Sequence, residues 1–402
     1  MDFSLSDDQL LLRDTIRQFM EAELRPVQRE YERNEMFPRE QIRKLAEMGC
    51  CGMCIPEEWG GAGMDIVSYV VMLEEVARVC AATAVTLSVT NSVVGMPLWK
   101  HGTDAQREKY LKRLARGEIL GAFCLTEPQA GSDAAAIQTR ATRRGDHYYL
   151  DGTKSWVSNG GEAGLYLVFA RIERAEGPPK AEGPERSRGA GTITAFLVEP
   201  SAPGFRISRY EDKMGLRMSR SAEIVFEQCE VPAANRLGEE GQGLRIALEA
   251  LDGGRVGVAA QAVGVAQGAL EESVRYAKQR RAFGKAIGEF QAIQWMLADM
   301  QTEIEAARML TYHAAWRQAQ GHSSAGKPLA ADARGKPASR AKLYASEMVN
   351  RVAYKAVQIH GSVGYSRETP VERMYRDARV IAIYEGTSEI QRMIIARDLL
   401  GL

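Results

Sequence analysis

At 402 residues the chain is too long for one compact core, so two or three domains are expected. Its composition, 45% hydrophobic and 26% charged, is that of a soluble globular protein, and a formal net charge of zero excludes a whole-molecule pull toward nucleic acid or anionic lipid. No stretch of 18 apolar residues is read, so no membrane insertion is expected, and the acidic start MDFSLSDDQ lacks the order of a signal or transit peptide, which reads as cytoplasmic.

Residues 1–118 read as a helical domain. Ser6 and Gln9 form a capping box ahead of Leu12, Ile16 and Phe19 on one face, and Thr103 with Gln106 forms another. The six cysteines include Cys50, Cys51 and Cys54 in "GCCGMC". A CxxC can be redox-active or hold metal, but no second pair follows at zinc-like spacing. The segment ends an amphipathic run, so these cysteines read as small hydrophobes in a reducing compartment, and no metal is expected. "IVSYVVMLEEVARV" reads as a largely buried helix, and "PEEWGGAGMD" as a turn-rich loop.

Residues 119–235 change character. Short runs rich in β-branched and aromatic residues, such as "AGLYLVFAR" and "TITAFLVEP", recur between turn signals. They predict a small antiparallel β-domain, with Asp151-Gly152 as a hairpin turn. Residues 173–191 hold no large apolar side chain and read as a long loop.

Residues 236–402 are helical again. Phe290, Ile293, Leu297, Met300 and Ile304 repeat at the spacing of a bundle helix. A second long loop is expected at 318–339. Thr369 and Glu372 form a capping box with Pro370 inside it, and Ser388 with Gln391 boxes the last helix. The order α, β, α has no alternating β-α units, so the clusters "GGAG" and "GEEGQG" are discounted as dinucleotide fingerprints.

The chemistry-bearing residues sit near the ends of these elements. Glu385, in "IAIYEGTSEIQR", lies in a short link that the apolar run before it drags inward. Burial raises a carboxylate's pKa and a helix N-terminus lowers it. An acid here is either a helix-end charge or a base, and Ser388 already caps the helix. "GAFCLTEPQAGSD" is a turn-forming array suited to presenting backbone N–H groups. In "TKSWVSNG", Trp156 and Ser158 stand two apart on one side of a strand, as a flat hydrogen-bonding ring would need, although Trp156 taken alone reads rather as a core aromatic. Arg280 or Arg281 could clamp phosphate, and Gly361 and Gly364 could admit a diphosphate; a solvated basic face and an ordinary helix cap are the plainer readings.

Taken in order, "FCLTEPQAGSD", "GTKSWVSNG", "LDGGRVGVAAQAVGVAQGAL", "RRAFGKAIGEFQAIQ", "QIHGSVGYSRETPVERMYRDAR" and "IYEGTSEIQR" resemble the acyl-CoA dehydrogenase family over almost the whole chain. The resemblance implies a mainly α, α+β fold: an N-terminal helical domain (1–118), a middle antiparallel β-domain (119–235) and a C-terminal four-helix bundle (236–402). It implies noncovalent FAD. Phe123, Leu125 and Thr126 would contact the flavin ring, Trp156 would pack on it, and Ser158 would reach its N5 edge. Arg280, Phe283 and Gln291 would meet the diphosphate and adenosine side, joined by Gln358 and Gly361 from a neighbouring subunit, with Thr387 and Glu389 completing the site. Ser132, Asp252, Arg255 and Gly386 fall where the family contacts acyl-CoA. A shared FAD implies a homo-oligomer, usually a tetramer. Ser362 stands where many members carry a second glycine.

By the same resemblance, Glu385 removes the α-proton of an acyl thioester while the β-hydride passes to flavin, and electrons leave through an electron-transfer flavoprotein. Isovaleryl-CoA dehydrogenases place the base on the residue before the bundle arginine; here that residue is Gly254, which cannot act. The region 88–103 is similar to short-chain members and suggests a short or short-branched acyl group. Alternatives are a related flavoenzyme on the same fold, of the decarboxylating glutaryl-CoA type or an oxidase, and a non-catalytic acyl-CoA-binding protein.

Overall fold

A computed structural model describes residues 4–173, 192–321 and 336–402. The parts of the two expected loops at 174–191 and 322–335 lie outside the described residues. Helix extends further into the second than the sequence suggested, to Gly321 on one side and from Pro337 on the other.

The N-terminal part is helical: α1 (Asp7–Phe19), α2 (Gln28–Arg33), α3 (Arg39–Glu47), α4 (Ile66–Val79), α5 (Ala81–Ser88), α6 (Met96–His101), α7 (Asp104–Gln106) and α8 (Lys112–Ala115). Both expected capping boxes form, Ser6 with Gln9 and Thr103 with Gln106. Cys50 and Cys51 are free thiols buried in the core, and Cys54 is a free thiol at its edge. The run Ala81–His101 joins α5 and α6 through a π-helical turn, Val89–Gly95. It is long and apolar enough to cross a membrane, which the sequence reading overlooked because Thr, Ser and Asn interrupt it, but 94% of its apolar window is buried inside the protein.

Among the described residues, eight strands make one sheet: β1 (Gly121–Cys124), β2 (Arg140–Arg144), β3 (His147–Ser158), β4 (Leu165–Ile172), β5 (Ile193–Val198), β6 (Phe205–Tyr210), β7 (Ser221–Pro232) and β8 (Arg236–Leu237). Their order is β6-β7-β3-β2-β4-β5-β8, with β1 added to β4. The sheet is mixed rather than purely antiparallel. β1 runs parallel to the first half of β4, and β2 runs parallel to its end at Arg171 and Ile172. The long connections before β4 allow parallel pairing, which a tight hairpin does not.

Asp151-Gly152 is not a turn. It lies inside β3 at a register shift between Leu150 and Gly152, and Gly152 takes φ 151°. The hairpin is one turn earlier, at Gly145-Asp146, where Arg144 pairs with His147 and Gly145 has φ 58°. A glycine after an acid suits either device, a bulge or a turn.

The C-terminal part holds α9 (Gly243–Gln279), a two-stranded ribbon β9 (Arg281–Ala282) and β10 (Lys285–Ala286), then α10 (Gln291–Gly321), α11 (Pro337–His360), α12 (Pro370–Ile381) and α13 (Ser388–Leu400). α9, α10 and α11 pack on one another, and α4 lies against α9. The approach is close: a Cβ at Gly264 would come within 2.2 Å of the Glu74 carbonyl oxygen. The expected box at Thr369 does not form. Its hydroxyl donates to the Val363 carbonyl at 2.9 Å, while Glu372 pairs with Arg376 at 2.8 Å.

Candidate active site

The link between α12 and α13 is tied off where the Ser388 N–H donates to the Ala382 carbonyl at 3.0 Å. Between them Glu385 takes φ 51° and Gly386 φ 92°. Such a left-handed backbone costs a non-glycine residue about 1–3 kcal/mol and persists only where its surroundings hold it. The cap of α13 is one residue earlier than the sequence suggested. Thr387 accepts the Ile390 N–H at 3.3 Å, while the Ser388 hydroxyl is buried without a partner. Gln391 does not close a box; its amide donates to the Gly386 carbonyl at 3.0 Å and reaches the Glu385 carbonyl at 3.4 Å.

This turn lays the Glu385 side chain on α9 at Gly254, where an added Cβ would stand 2.1 Å from Oε2. Part of the residue is accessible, but Oε2 itself is sealed from solvent and has no hydrogen-bond partner. Desolvation pushes its carboxyl up to about 7, opposed first by Lys342 and then by Arg255. Sequence reading missed Lys342. Its signal was there: a lysine on the apolar stripe of α11, four residues after Ala338 and three before Ala345, all three buried.

One residue along α9 from the Gly254 contact, at Gly253, a half-open cavity of about 460 Å³ begins between α4, the π-helical turn, α6, α9 and the end of α10, within the ~300–1,000 Å³ usual for small-molecule sites. Ile55, Ile66, Met96, Ile246 and Ala250 give it apolar walls, and Tyr69 and Gly253 line it next to the Gly254 contact. Asp252, also on its wall, pairs with Arg255 at 2.5 Å. Arg255 is buried and its Nε has no partner. Ser132 is exposed on the turn after β1.

The end of β1, the turn after it and the end of β3 form a second group. Phe123 packs on Phe169 with ring centroids 5.0 Å apart, and Leu125 is buried. The Thr126 carbonyl accepts the Ser155 N–H at 2.9 Å. Glu127 and Lys154, both buried, lock this turn with an ion pair of 2.7 Å. The Glu127 carboxylate also takes the N–H groups of Gln138 and Thr139. Trp156 stands at a register shift with φ 59° and is 60% exposed, while Val157 is buried and Ser158 half-buried. The indole is therefore presented outward rather than packed in the core.

A third group lies at the other end of the bundle. Arg280, Phe283, Gln291, Gln358 and Gly361 are all exposed there, Phe283 to 95%. Tyr276 and His360 stack at 4.4 Å and tie the ends of α9 and α11 together. Arg280 follows Gly254 by roughly 26 residues of helix, or about 39 Å at the α-helical rise. Thr387 and Glu389 stay at the Glu385 end. The residues suit a flavin dinucleotide: an outward indole, an uncovered Phe283, and a Gly361 with φ 62° and no atom within 4 Å of an added Cβ.

Domain models of one family match in sequence order: Acyl-CoA dehydrogenase, N-terminal domain, at residues 6–118; middle domain, at 122–229; and C-terminal domain, at 241–400. The chain is 46% identical over 402 residues to an acryloyl-CoA reductase (NADH) of Anaerotignum propionicum, covering 100% of this chain and 96% of that one. It superposes on the butyryl-CoA dehydrogenase from Megasphaera elsdenii with a TM-score of 0.91 at 44% identity, covering both chains fully. A chain from the structural work on the electron transferring flavoprotein of Acidaminococcus fermentans, directed at flavin-based electron bifurcation, matches with a TM-score of 0.92 at 45% identity, again with both chains covered fully.

Proposed function

The chain belongs to the acyl-CoA dehydrogenase family of flavoprotein oxidoreductases acting on CH–CH groups, and from that premise we propose that it converts a short-chain acyl-CoA to the trans-2-enoyl thioester with Glu385 as the base. The observation that carries the role of Glu385 is its carboxylate. Oε2 is buried, unpartnered and poised near neutrality, against Gly254 of α9, whose neighbour Gly253 lines a largely apolar cavity of about 460 Å³.

Each residue then has a task. The apolar walls take the acyl chain and exclude water, which strengthens the base. Ser132, Asp252, Arg255 and Gly386 face the CoA side. Glu385 accepts the α-proton, and its raised pKa brings it closer to the weak carbon acid it must deprotonate. Its backbone N–H donates to no acceptor among the described residues and is available for charge developing on the thioester oxygen. FAD, its ring held by Phe123, Leu125, Thr126, Trp156 and Ser158, supplies the hydride acceptor. Thr387 and Glu389 of the same chain continue its site. Because Arg280, Phe283 and Gln291 share an end with Gln358 and Gly361, all five reach the diphosphate and adenosine from a neighbouring subunit of a homo-oligomer. That redraws the division expected from sequence, which split them between two chains. The match to the electron transferring flavoprotein work supports such a flavoprotein as the redox partner.

The likeness to an acryloyl-CoA reductase favours a second reading, in which the same site runs in reverse. A carboxyl near 7 is substantially populated in both protonation states at neutrality, so it can return the α-proton as readily as take it.

The deciding experiment is anaerobic flavin bleaching by butyryl-CoA. Glu385→Gln keeps the side chain's size but cannot accept a proton. The expected loss in bleaching rate is about 10²–10⁴-fold, with flavin still bound; bleaching near the unmodified rate overturns the assignment.

A further inference from the structure

We propose that Lys342 is a positioning residue for the Glu385 base: its ammonium grips the Gly386 carbonyl and faces the Glu385 carboxylate, fixing the turn that carries the base and keeping the base ionised. The proposal rests on the reading of Glu385 as the base.

Lysine is almost never fully buried unless paired, yet Lys342 has no exposed surface and sits on the apolar stripe of α11 with Ala338, Ala345 and Val349. Its hydrogen bond goes not to a carboxylate but to the Gly386 carbonyl, at 2.7 Å. That oxygen also takes the Gln391 amide at 3.0 Å. Two donors from different helices therefore clamp the residue that follows Glu385, where two successive left-handed conformations must be held. The Ser388–Ala382 hydrogen bond ties the ends of the link, and the clamp on Gly386 holds its middle, where the carboxylate is aimed at Gly254.

The charges around the pair point the same way. The carboxylates Glu385, Glu347 and Glu389 favour the charge of Lys342 and the guanidinium of Arg255 opposes it. Facing Glu385 are Lys342, whose effect is the larger, and Arg255, with the phenols of Tyr69 and Tyr384 nearby. Burial drives the lysine down to about 8 and the glutamate up to about 7. Each charge limits the other's shift, so removing the ammonium should leave the carboxyl protonated across neutrality and unable to act as a base.

The test follows the protonated-carboxyl infrared band that disappears in Glu385→Gln, titrated in the full-length flavoprotein without substrate. Lys342→Met removes donor and charge, Lys342→Gln keeps a donor without charge, and Lys342→Arg keeps the charge. In the Met and Gln variants the midpoint should rise by about one to three pH units, and the acid limb of the flavin-reduction rate should rise with it. The Arg variant should stay near the unmodified protein. A structural role alone would lower the rate at every pH and leave the midpoint in place, so an unchanged midpoint in Lys342→Gln overturns the proposal. If Lys342→Met fails to fold, Lys342→Gln carries the test. If the midpoint moves and the acid limb does not follow, Glu385 is not the base, and its positioning by Lys342 falls with that reading.

Discussion

The Glu385 carboxylate fills the space that a side chain at residue 254 would need: a Cβ on Gly254 would lie 2.1 Å from Oε2 and 3.1 Å from the Val93 Cγ1. Gly254→Ala should therefore push the base off its position while sparing the fold. The site is helical, so alanine there gains about 0.5–1 kcal/mol of helix stability that offsets the crowding. A displacement near 1 Å costs roughly 10²-fold in rate. Flavin-reduction kinetics should show that loss with an unlowered melting temperature; an unchanged rate would mean the carboxylate does not work from this place.

The rate should also carry an acid limb. Glu385 is pushed up to about 7 by burial, against Lys342 and Arg255. A base acts as the carboxylate, which predominates above that pH and is titrated away below it. The rate of flavin reduction should level off above pH 7 and fall about tenfold per unit well below it. A flat profile from pH 5.5 to 8 would contradict the assignment.

Glu127→Gln should unsettle the turn that carries Thr126. Burial pushes Lys154 down to about 8 despite Glu127, while for Glu127 burial acts upward but is outweighed by Lys154, Thr139 and the Gln138 N–H, which favour its charge and leave it lowered. The carboxylate is the better satisfied partner, and removing it strands a buried ammonium. Breaking such a pair costs about 3–5 kcal/mol. In the unmodified protein the buried lysine gives up its proton near 8, and without Glu127 it does so at lower pH, so the extra deficit grows as pH falls below 8 and is gone once pH has risen past it. Urea unfolding at pH 7 and pH 9.5 should show the larger deficit at pH 7, and Lys154→Met added to Glu127→Gln should recover part of it. Equal deficits at both pH values would rule the ammonium out as the cause.

Local signals explain which parts of the site were legible in sequence. The position of Glu385 between an apolar run and a helix start was readable, because both flanking elements have their own periodicity and cap. The cap was misplaced by one residue because Thr387 and Ser388 are both good caps, and only the backbone angle decides between them. Asp151-Gly152 was misread because a bulge and a turn want the same residues. Lys342 escaped notice because a single charge does not break an apolar stripe, and its partner lies 44 residues away in sequence. The common end shared by Arg280, Phe283, Gln358 and Gly361 depends on α9 and α11 running the same way, a matter of packing and not of pattern.

That shared end leads to a mixing experiment. Under the proposed assignment, a flavin ring held beside Glu385 would stand about 39 Å, by helical rise from Gly254, from the Arg280 end of its own α9. If a second subunit supplies that end, two different defects can complement each other. Glu385→Gln removes the base but leaves Arg280 intact, and Arg280→Glu spoils the diphosphate side but leaves Glu385 intact. Each homo-oligomer should be nearly inactive. In oligomers unfolded together and refolded as a mixture, a site formed by Glu385 of one subunit and Arg280 of another has both residues, so flavin reduction by butyryl-CoA should reappear. The same mixture should retain more flavin on gel filtration than the Arg280→Glu protein alone. Were Arg280 to serve its own chain's flavin, each site in the mixture would still carry one defect, and activity would stay at the level of the separate variants.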